Sequence, residues 1–377
     1  MRVLLVHGDL RAGGGAEAYA LAVAATAAKL GHQVGWLDVT GHLPPDGRKQ
    51  ALLPAKLLQV SLQRLRFHLL KYAVVCQRVR AVAAGYSHVI YTYGEGPSTQ
   101  KPLLRILHAP ALFSGRPELV KYLGVTGGPL GKLMLRSVYS WACRRLARPD
   151  MRPGKGVTTV VNSNWTGGIV AKYFQLSSKT VLYPKVVPVP QCPDISRSPL
   201  RFITVGRLVP GKRLEDAVEI IAKLRDNGIP AYLQIVGRAT GPYSRAFVAQ
   251  YNPLSFVTIT QNATRPQLAR AMASARYGLH CYRHEHFGIS VAEMITAGCL
   301  PFVFDGGGVV ELVPDRRLRF DCVDSAVNKI SALVDVSLQK QTALQRTLQS
   351  TPALKSAIHF DGQLENILNR FLTSAAA

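Results

Sequence analysis

The chain has no CxxC pair, no metal-ligand spacing among its six cysteines, and no apolar run of the ~18–20 residues that a transmembrane helix requires. Acidic residues are scarce, 22 against 46 Lys and Arg, and none falls between Asp46 and Glu95. Each absence excludes something. Scattered thiols (Cys76, Cys143, Cys192, Cys281, Cys299, Cys322) argue against a disulfide framework or a structural zinc and point to a reducing cytoplasm. The opening Met1-Arg2-Val3-Leu4-Leu5-Val6-His7-Gly8 is too short for a signal peptide, lacks a cleavage site, and reads as a first buried strand. The shortage of acid leaves a net charge of +24, unevenly spread: through residue 195 there are 25 basic and 8 acidic residues.

The acid-free stretch carries Arg48, Lys49, Lys56, Arg64, Arg66, Lys71, Arg78 and Arg80, interleaved with Leu57, Leu58, Val60, Leu62, Leu65, Leu69 and Leu70. A basic amphipathic helix of this kind suits an anionic membrane surface, where each basic residue contributes ~1 kcal/mol. A nucleic-acid partner explains the same charge, and so does a solvated face that keeps a basic protein soluble.

The 377 residues, 47% of them hydrophobic, suffice for two domains with separate cores. Apolar runs alternate with helical periodicity along both halves. Strands are expected at 2–6, 33–39, 87–91, 104–107 and 158–161, with a helix at 16–30 closed by Gly31. Residues 40–85 and 117–148 read as helical excursions from the sheet. Prolines at 184, 188, 190, 193 and 199 mark a stiff linker. Beyond it come strand 202–205, helix 214–225, strand 232–236, strand 256–260, helix 265–274 and strand 277–281. The expected fold class is therefore α/β, with two Rossmann-like domains built on parallel sheets that face a central cleft. The expected boundaries are 1–185, a linker at 186–199, a second domain at 200–358, and a C-terminal helix at 359–377 that can return to the first.

Glu285 and Glu293 lie eight residues apart in His284-Glu285-His286-Phe287-Gly288-Ile289-Ser290-Val291-Ala292-Glu293. A helix over 290–297, stopped by Gly298 and followed by strand 300–304, directs free N–H groups at the preceding loop and forms an anion site. Two carboxylates flanking a phosphate suit the hydroxyls of a nucleotide sugar. Ser290-x-x-Glu293 equally fits a capping box, in which the glutamate only reaches back to the cap.

Other loops fall at the carboxyl ends of strands. Gly206-Arg207-Leu208-Val209-Pro210-Gly211-Lys212 offers two cations for one anion, such as a diphosphate leaving group, or is simply a solvated basic loop. Ala12-Gly13-Gly14-Gly15-Ala16-Glu17 permits close backbone approach to a ligand, though it is not GxGxxG. Asp305-Gly306-Gly307-Gly308, before a helix at 309–313, supplies backbone donors or forms an ordinary turn. His108 of His108-Ala109-Pro110 either meets a sugar hydroxyl or acceptor or is structural. In Asn162-Ser163-Asn164-Trp165, helix capping explains Ser163 or Asn164 without a ligand.

Assembled, these segments resemble the retaining glycosyltransferases of GT-B family four, most strongly over 201–313. The Glu-x7-Glu signature matches Glu285 and Glu293, the Gly-Arg-x5-Lys-like loop matches Arg207 and Lys212, and the glycine loop matches Gly13, Gly14 and Gly15. The run from Glu285 to Glu293 is similar to that of mannosyltransferases that extend lipid-linked oligosaccharides from GDP-mannose, as are Leu182-Tyr183-Pro184 and His108-x-Pro110. Lys185 and Pro210-Gly211 depart from that branch. The resemblance implies a catalytic set of Glu285, Lys212, Arg207 and His108. Lys212 and Arg207 would take the donor diphosphate, Glu285 the transferred sugar, and His108 the sugar from the other domain. It implies further that Glu293 holds the ribose, that the amides of Phe287, Gly288 and Ile289 face the phosphates, and that Gly14 and Gly15 line the donor side.

No cofactor and no metal are implied, since protein cations replace a bound ion and the chain has no Asp-x-Asp. The expected reaction moves a hexose, mannose favoured, from a nucleoside-diphosphate sugar to a lipid-linked or cell-surface glycan with retention. The protein would be cytoplasmic, peripheral on the cytoplasmic face of an anionic membrane, without a nucleic-acid partner. Rival readings are a sugar-nucleotide epimerase or phosphorylase, a nucleic-acid binder or DNA-directed glycosyltransferase, and a silent scaffold.

Overall fold

A computed structural model of the chain describes residues 1–8, 14–39, 52–53, 68–109, 138–176 and 180–373, and structural statements concern those residues. They form two compact units, Met1–Lys185 with His359–Ala377, and Val186–Ile358.

The first unit holds a seven-stranded parallel sheet in the order β3-β2-β1-β4-β5-β6-β7. Its strands are β1 (Arg2–Val6), β2 (Gln33–Leu37), β3 (Leu52–Leu53), β4 (His88–Tyr91), β5 (Leu103–Leu107), β6 (Val157–Val161) and β7 (Thr180–Val181). Aliphatic runs form these strands because both faces are covered. On one face Val3, Leu5, Leu104 and Ile106 pack with Ala20, Val23 and Ala27 of the helix Gly15–Lys29 and with Phe360, Leu364 and Leu368 of the helix Phe360–Thr373. On the other, Leu4, Val6 and Val89 meet Tyr72, Cys76 and Val79 of the helix His68–Ala83 and Cys143 of Val138–Ala147. The strand period of two divides β1 between two cores. The last helix is tied to the first by Lys29–Glu365 at 2.8 Å.

The second unit carries a six-stranded parallel sheet in the order β10-β9-β8-β11-β12-β13. These are β8 (Ser198–Val205), β9 (Tyr232–Gly237), β10 (Val257–Gln261), β11 (Ala275–His280), β12 (Leu300–Phe304) and β13 (Arg319–Phe320). The helix Leu214–Asp226 buries Leu214, Ala217, Val218, Ile221 and Leu224, the spacing of one helical face. Strand order reverses between β8 and β11, so the loops leaving their carboxyl ends lie side by side, where open α/β sheets take their ligands.

Several expectations change. Residues 40–85 are not wholly an excursion: Leu52–Leu53 extends the sheet beside β2, pairing with Val34 and Gly35. Lys71, counted as part of a basic face, is only 4% exposed. The basic positions 48, 49, 56, 64 and 66, most of 117–148, Gly13 and Pro110 lie outside the described residues. The proline segment expected as a stiff linker is docked on the second unit, with Val189 N donating to Thr296 Oγ1 and Arg197 donating to the carbonyls of Ala275 and Ala297. In place of a helix at 309–313 there is a single 3-10 turn, Gly308–Glu311. Among the described residues no helix is long and apolar enough to cross a membrane.

Candidate functional site

The loop after β8 runs through Gly206 and Arg207 into a 3-10 turn, Pro210–Lys212. Its base is fixed by close approach: an added Cβ at Gly237 would collide with the Gly206 carbonyl, and Leu208 N donates to Arg238 O at 2.9 Å. Lys212 is thereby delivered to the end of β11, where its Nζ reaches Glu285 Oε2 at 2.7 Å and lies 4.7 Å from the centre of the Tyr282 ring. The same carboxylate oxygen is 3.1 Å from Nε2 of His280, and Oε1 accepts from His286 N at 3.2 Å.

Burial pushes the Glu285 carboxyl up, but the Lys212 charge and the His280 contact outweigh it and hold Glu285 well below the ordinary range. Burial lowers His280, against the pull of its bond to Glu285. Burial also pushes the Tyr282 phenol up to about 12, aided by the Glu285 charge and opposed by that of Arg207. Arg207 itself is exposed, with its charge felt at Tyr282. Lys212, Glu285, His280, Tyr282 and Arg207 therefore form one cluster.

The backbone of this loop is held by the triple glycine after β12. Gly308 N donates to Glu285 O at 2.7 Å, and Gly307, at φ +80°, leaves no room for a Cβ against that carbonyl. This glycine turn therefore buttresses the glutamate loop, a role that neither sequence reading included.

Gly288, at φ 99° and ψ 58°, starts the helix Ile289–Thr296. The first helical bond runs from Ala292 N to Gly288 O, so the amides of Ile289, Ser290 and Val291 have no acceptor within the helix. That end carries partial positive charge beside the Lys212 cluster, an arrangement that receives anions. The helix begins one residue earlier than the pattern suggested, and this decides the capping question. Gly288, not Ser290, is the cap, and no capping box forms. Glu293 instead points its 8%-exposed side chain at Arg265, with Nη1 to Oε1 at 2.6 Å. Arg265 opens the helix Arg265–Ser274, and its loop is pinned to the one after β9 by Ala239 N donating to Asn262 Oδ1 at 3.2 Å.

Thus Arg207, Lys212, Glu285, Phe287, Gly288, Ile289 and Glu293 come together at the carboxyl edge of the second sheet. His108, Gly14 and Gly15 belong to the first unit. There Gly14 N donates to Glu17 Oε2 at 2.6 Å, and Glu17 Oε1 lies 3.8 Å from Nε2 of the buried His7. Burial raises the Glu17 carboxyl, but His7 and the amide bonds more than offset it, and the net shift is downward. His108 follows β5, edge-on to Tyr19 with ring centres 4.7 Å apart, and its carbonyl accepts from Asn162 Nδ2 at 2.9 Å. Ser163 caps the next helix by accepting from Thr166 N.

Sequence reasoning passed over His280, Tyr282 and Arg265. The aromatic and histidine content just before Glu285 was a signal. Arg265 left another, since a cation in the first turn of a helix opposes the helix dipole. Among the described residues no group of His, Cys, Asp or Glu is placed to hold a metal ion.

Comparison with known proteins bears on this edge directly. Residues 193–349 match the family Glycosyl transferases group 1, which makes them a glycosyltransferase group 1 domain. No curated protein matches the chain. Among solved structures, WaaG, a glycosyltransferase involved in lipopolysaccharide biosynthesis, superposes with TM-score 0.64 at 15% identity, covering 99% of this chain and 100% of its own. Sucrose-phosphate synthase from Thermosynechococcus elongatus gives 0.70 at 14% identity, with both chains covered in full. Anabaena HepE, in complex with UDP and glucose, gives 0.61 at 16% identity over 99% of this chain and 100% of that one. At these identities the likeness establishes the fold, which is GT-B.

Proposed function

We propose that this chain, whose residues 193–349 form a glycosyltransferase group 1 domain, moves a hexose from a nucleoside-diphosphate sugar to a lipid-linked or cell-surface glycan acceptor. One observation carries the reading: Lys212, Arg207 and the open amides of the helix Ile289–Thr296 share one sheet edge with two carboxylates, Glu285 and Glu293. A diphosphate leaving group accumulates negative charge as its bond to the sugar breaks, and fixed cations and amides stabilise that charge without reorganising. Arg207 and Lys212 take the diphosphate, Glu293 accepts from the ribose hydroxyls, and Glu285 accepts from those of the sugar. Lys212 must then share itself between Glu285 and the diphosphate. In the retaining reaction the departing phosphate oxygen takes the acceptor's proton. No cofactor or metal is required in this scheme.

GDP-mannose is the first candidate donor, from the likeness of the Glu285–Glu293 run to mannosyltransferases of lipid-linked glycans. The HepE complex with UDP and glucose and the lipopolysaccharide role of WaaG support a sugar-nucleotide donor and a lipid-borne acceptor. Peripheral binding to the cytoplasmic face of an anionic membrane fits the helix Val138–Ala147. It exposes Trp141 and Val138, with the Arg145 guanidinium 5.5 Å from the Trp141 ring centre. The test is a thermal-shift screen of GDP-, UDP- and ADP-sugars, followed by product analysis with a lipid-linked acceptor. A donor at a hundred times its Kd stabilises by ~2.7 kcal/mol. If no nucleotide sugar raises the melting temperature, or if sugar is released or rearranged without an acceptor, the proposal fails.

A further inference from the structure

His280 plays no part in the scheme above, yet it is the most enclosed of the titratable groups around Glu285. It closes β11, is 3% exposed, and sits in ladder register with Val303 of β12. Its Nε2 shares Glu285 Oε2 with Lys212, at 3.1 Å against 2.7 Å. Burial favours the neutral imidazole, so a proton on Nε2 makes His280 a donor to the ionised carboxylate. The groups facing this pair are Lys212 from the loop after β8, and Tyr282 and the His286 amide from the glutamate loop itself.

The two donors differ in mobility. Lys212 has a four-carbon stem and a point charge, and it is the group a diphosphate draws away. His280 is locked in a central strand. When Nζ turns to the donor, Glu285 loses its cation, and the remaining side-chain donor decides where the carboxylate stays. Resting on the function proposed above, we infer that His280 is a positioning residue, holding the Glu285 carboxylate in place while Lys212 exchanges it for the donor diphosphate.

The test compares His280→Leu, which keeps the apolar packing but removes the donor, with His280→Gln, which returns an amide N–H near the Nε2 position. The readouts are kcat for sugar transfer, the affinity for GDP or UDP (whichever the wild type binds more tightly), and the melting temperature. His280→Leu is expected to bind the nucleoside diphosphate like wild type, yet to lose ~10- to 100-fold in kcat, the range for one hydrogen bond to a charged group. His280→Gln should recover most of that loss. The inference is overturned if His280→Leu turns over at the wild-type rate, or if His280→Gln is as slow as His280→Leu at equal melting temperature. It is also overturned if His280→Leu loses nucleotide binding, transfer and stability together, which marks a purely structural role. A wild type that transfers no sugar removes the proposed function instead, a result distinct from all of these.

Discussion

The carboxyl edges of the two sheets share a topology and differ in chemistry. In the second unit the loops after β8, β10 and β11 bring Arg207, Lys212 and Arg265 to two mostly buried carboxylates, beside an open helix end. In the first, the corresponding edge buries His7, Thr92 and Glu17, with His7 Nδ1 3.0 Å from the Thr92 hydroxyl and Glu17 holding the Gly14 amide. One edge is assembled to receive negative charge. In the other, the Glu17 carboxylate is spent on fixing a glycine turn. The same strand-and-helix scaffold therefore leaves function to loop residues, and the difference can be tested by perturbing each edge in turn.

The largest effect is expected from Lys212→Ala. Loss of a fixed cation from a developing diphosphate should lower kcat ~10²–10³-fold, measured as sugar transfer at saturating donor. Retention of wild-type turnover would remove the anion-receiving role from this edge. Glu285→Gln comes next, because it leaves Lys212 largely buried without its counter-charge, and should destabilise the protein by ~3–5 kcal/mol in denaturant unfolding.

The pH dependence of that difference has a definite sign. The folded-state pKa of Glu285 is depressed, so its contribution is fully present above the unfolded value of ~4.3 and is lost as pH falls through the folded value. His280, also depressed, adds a loss that begins as pH falls below ~6.5. Wild type should therefore lose stability from near neutrality downward. In Glu285→Gln the part below pH ~4.3 should be missing, which melting curves across pH will detect.

Arg265→Ala should weaken nucleotide binding about tenfold by calorimetry, since Glu293 loses the charged bond that orients it. Unchanged affinity would mean that the arginine only covers an empty site. The smallest effect on ligand is expected from Glu17→Gln. It should leave nucleotide affinity unchanged and lower stability by about 1 kcal/mol, through the weakened bond to Gly14. A loss of nucleotide binding in that variant would erase the contrast between the two edges.

How much of this was legible in advance depends on the range of the interactions. Helix 265–274 and strand 300–304 were readable to the residue, because capping residues, prolines and apolar runs act within a few positions. The helix at Glu293 shifted by one, because a left-handed glycine at 288 started it before the serine that resembled a cap. Which side chains Phe360, Leu364 and Leu368 of the helix Phe360–Thr373 meet, several of them more than 300 positions earlier, is specified by no local pattern.

The amino-acid order by itself determined the alternation of strands and helices, the glycines at loop ends, and the spacing of Glu285 and Glu293. These follow from backbone preferences and from periodicity along a single segment. Only the tertiary structure decided that Lys212 and His280 converge on one oxygen of Glu285, and that Arg265 rather than a helix cap takes Glu293. Lys212 and Arg265 arrive on the loops after β8 and β10, while His280 and both glutamates belong to β11 and the segment that follows it. Their geometry exists only once the parallel sheet has set its strand order, because charge and hydrogen bonding act over a few ångströms of space, however far apart the residues lie along the chain.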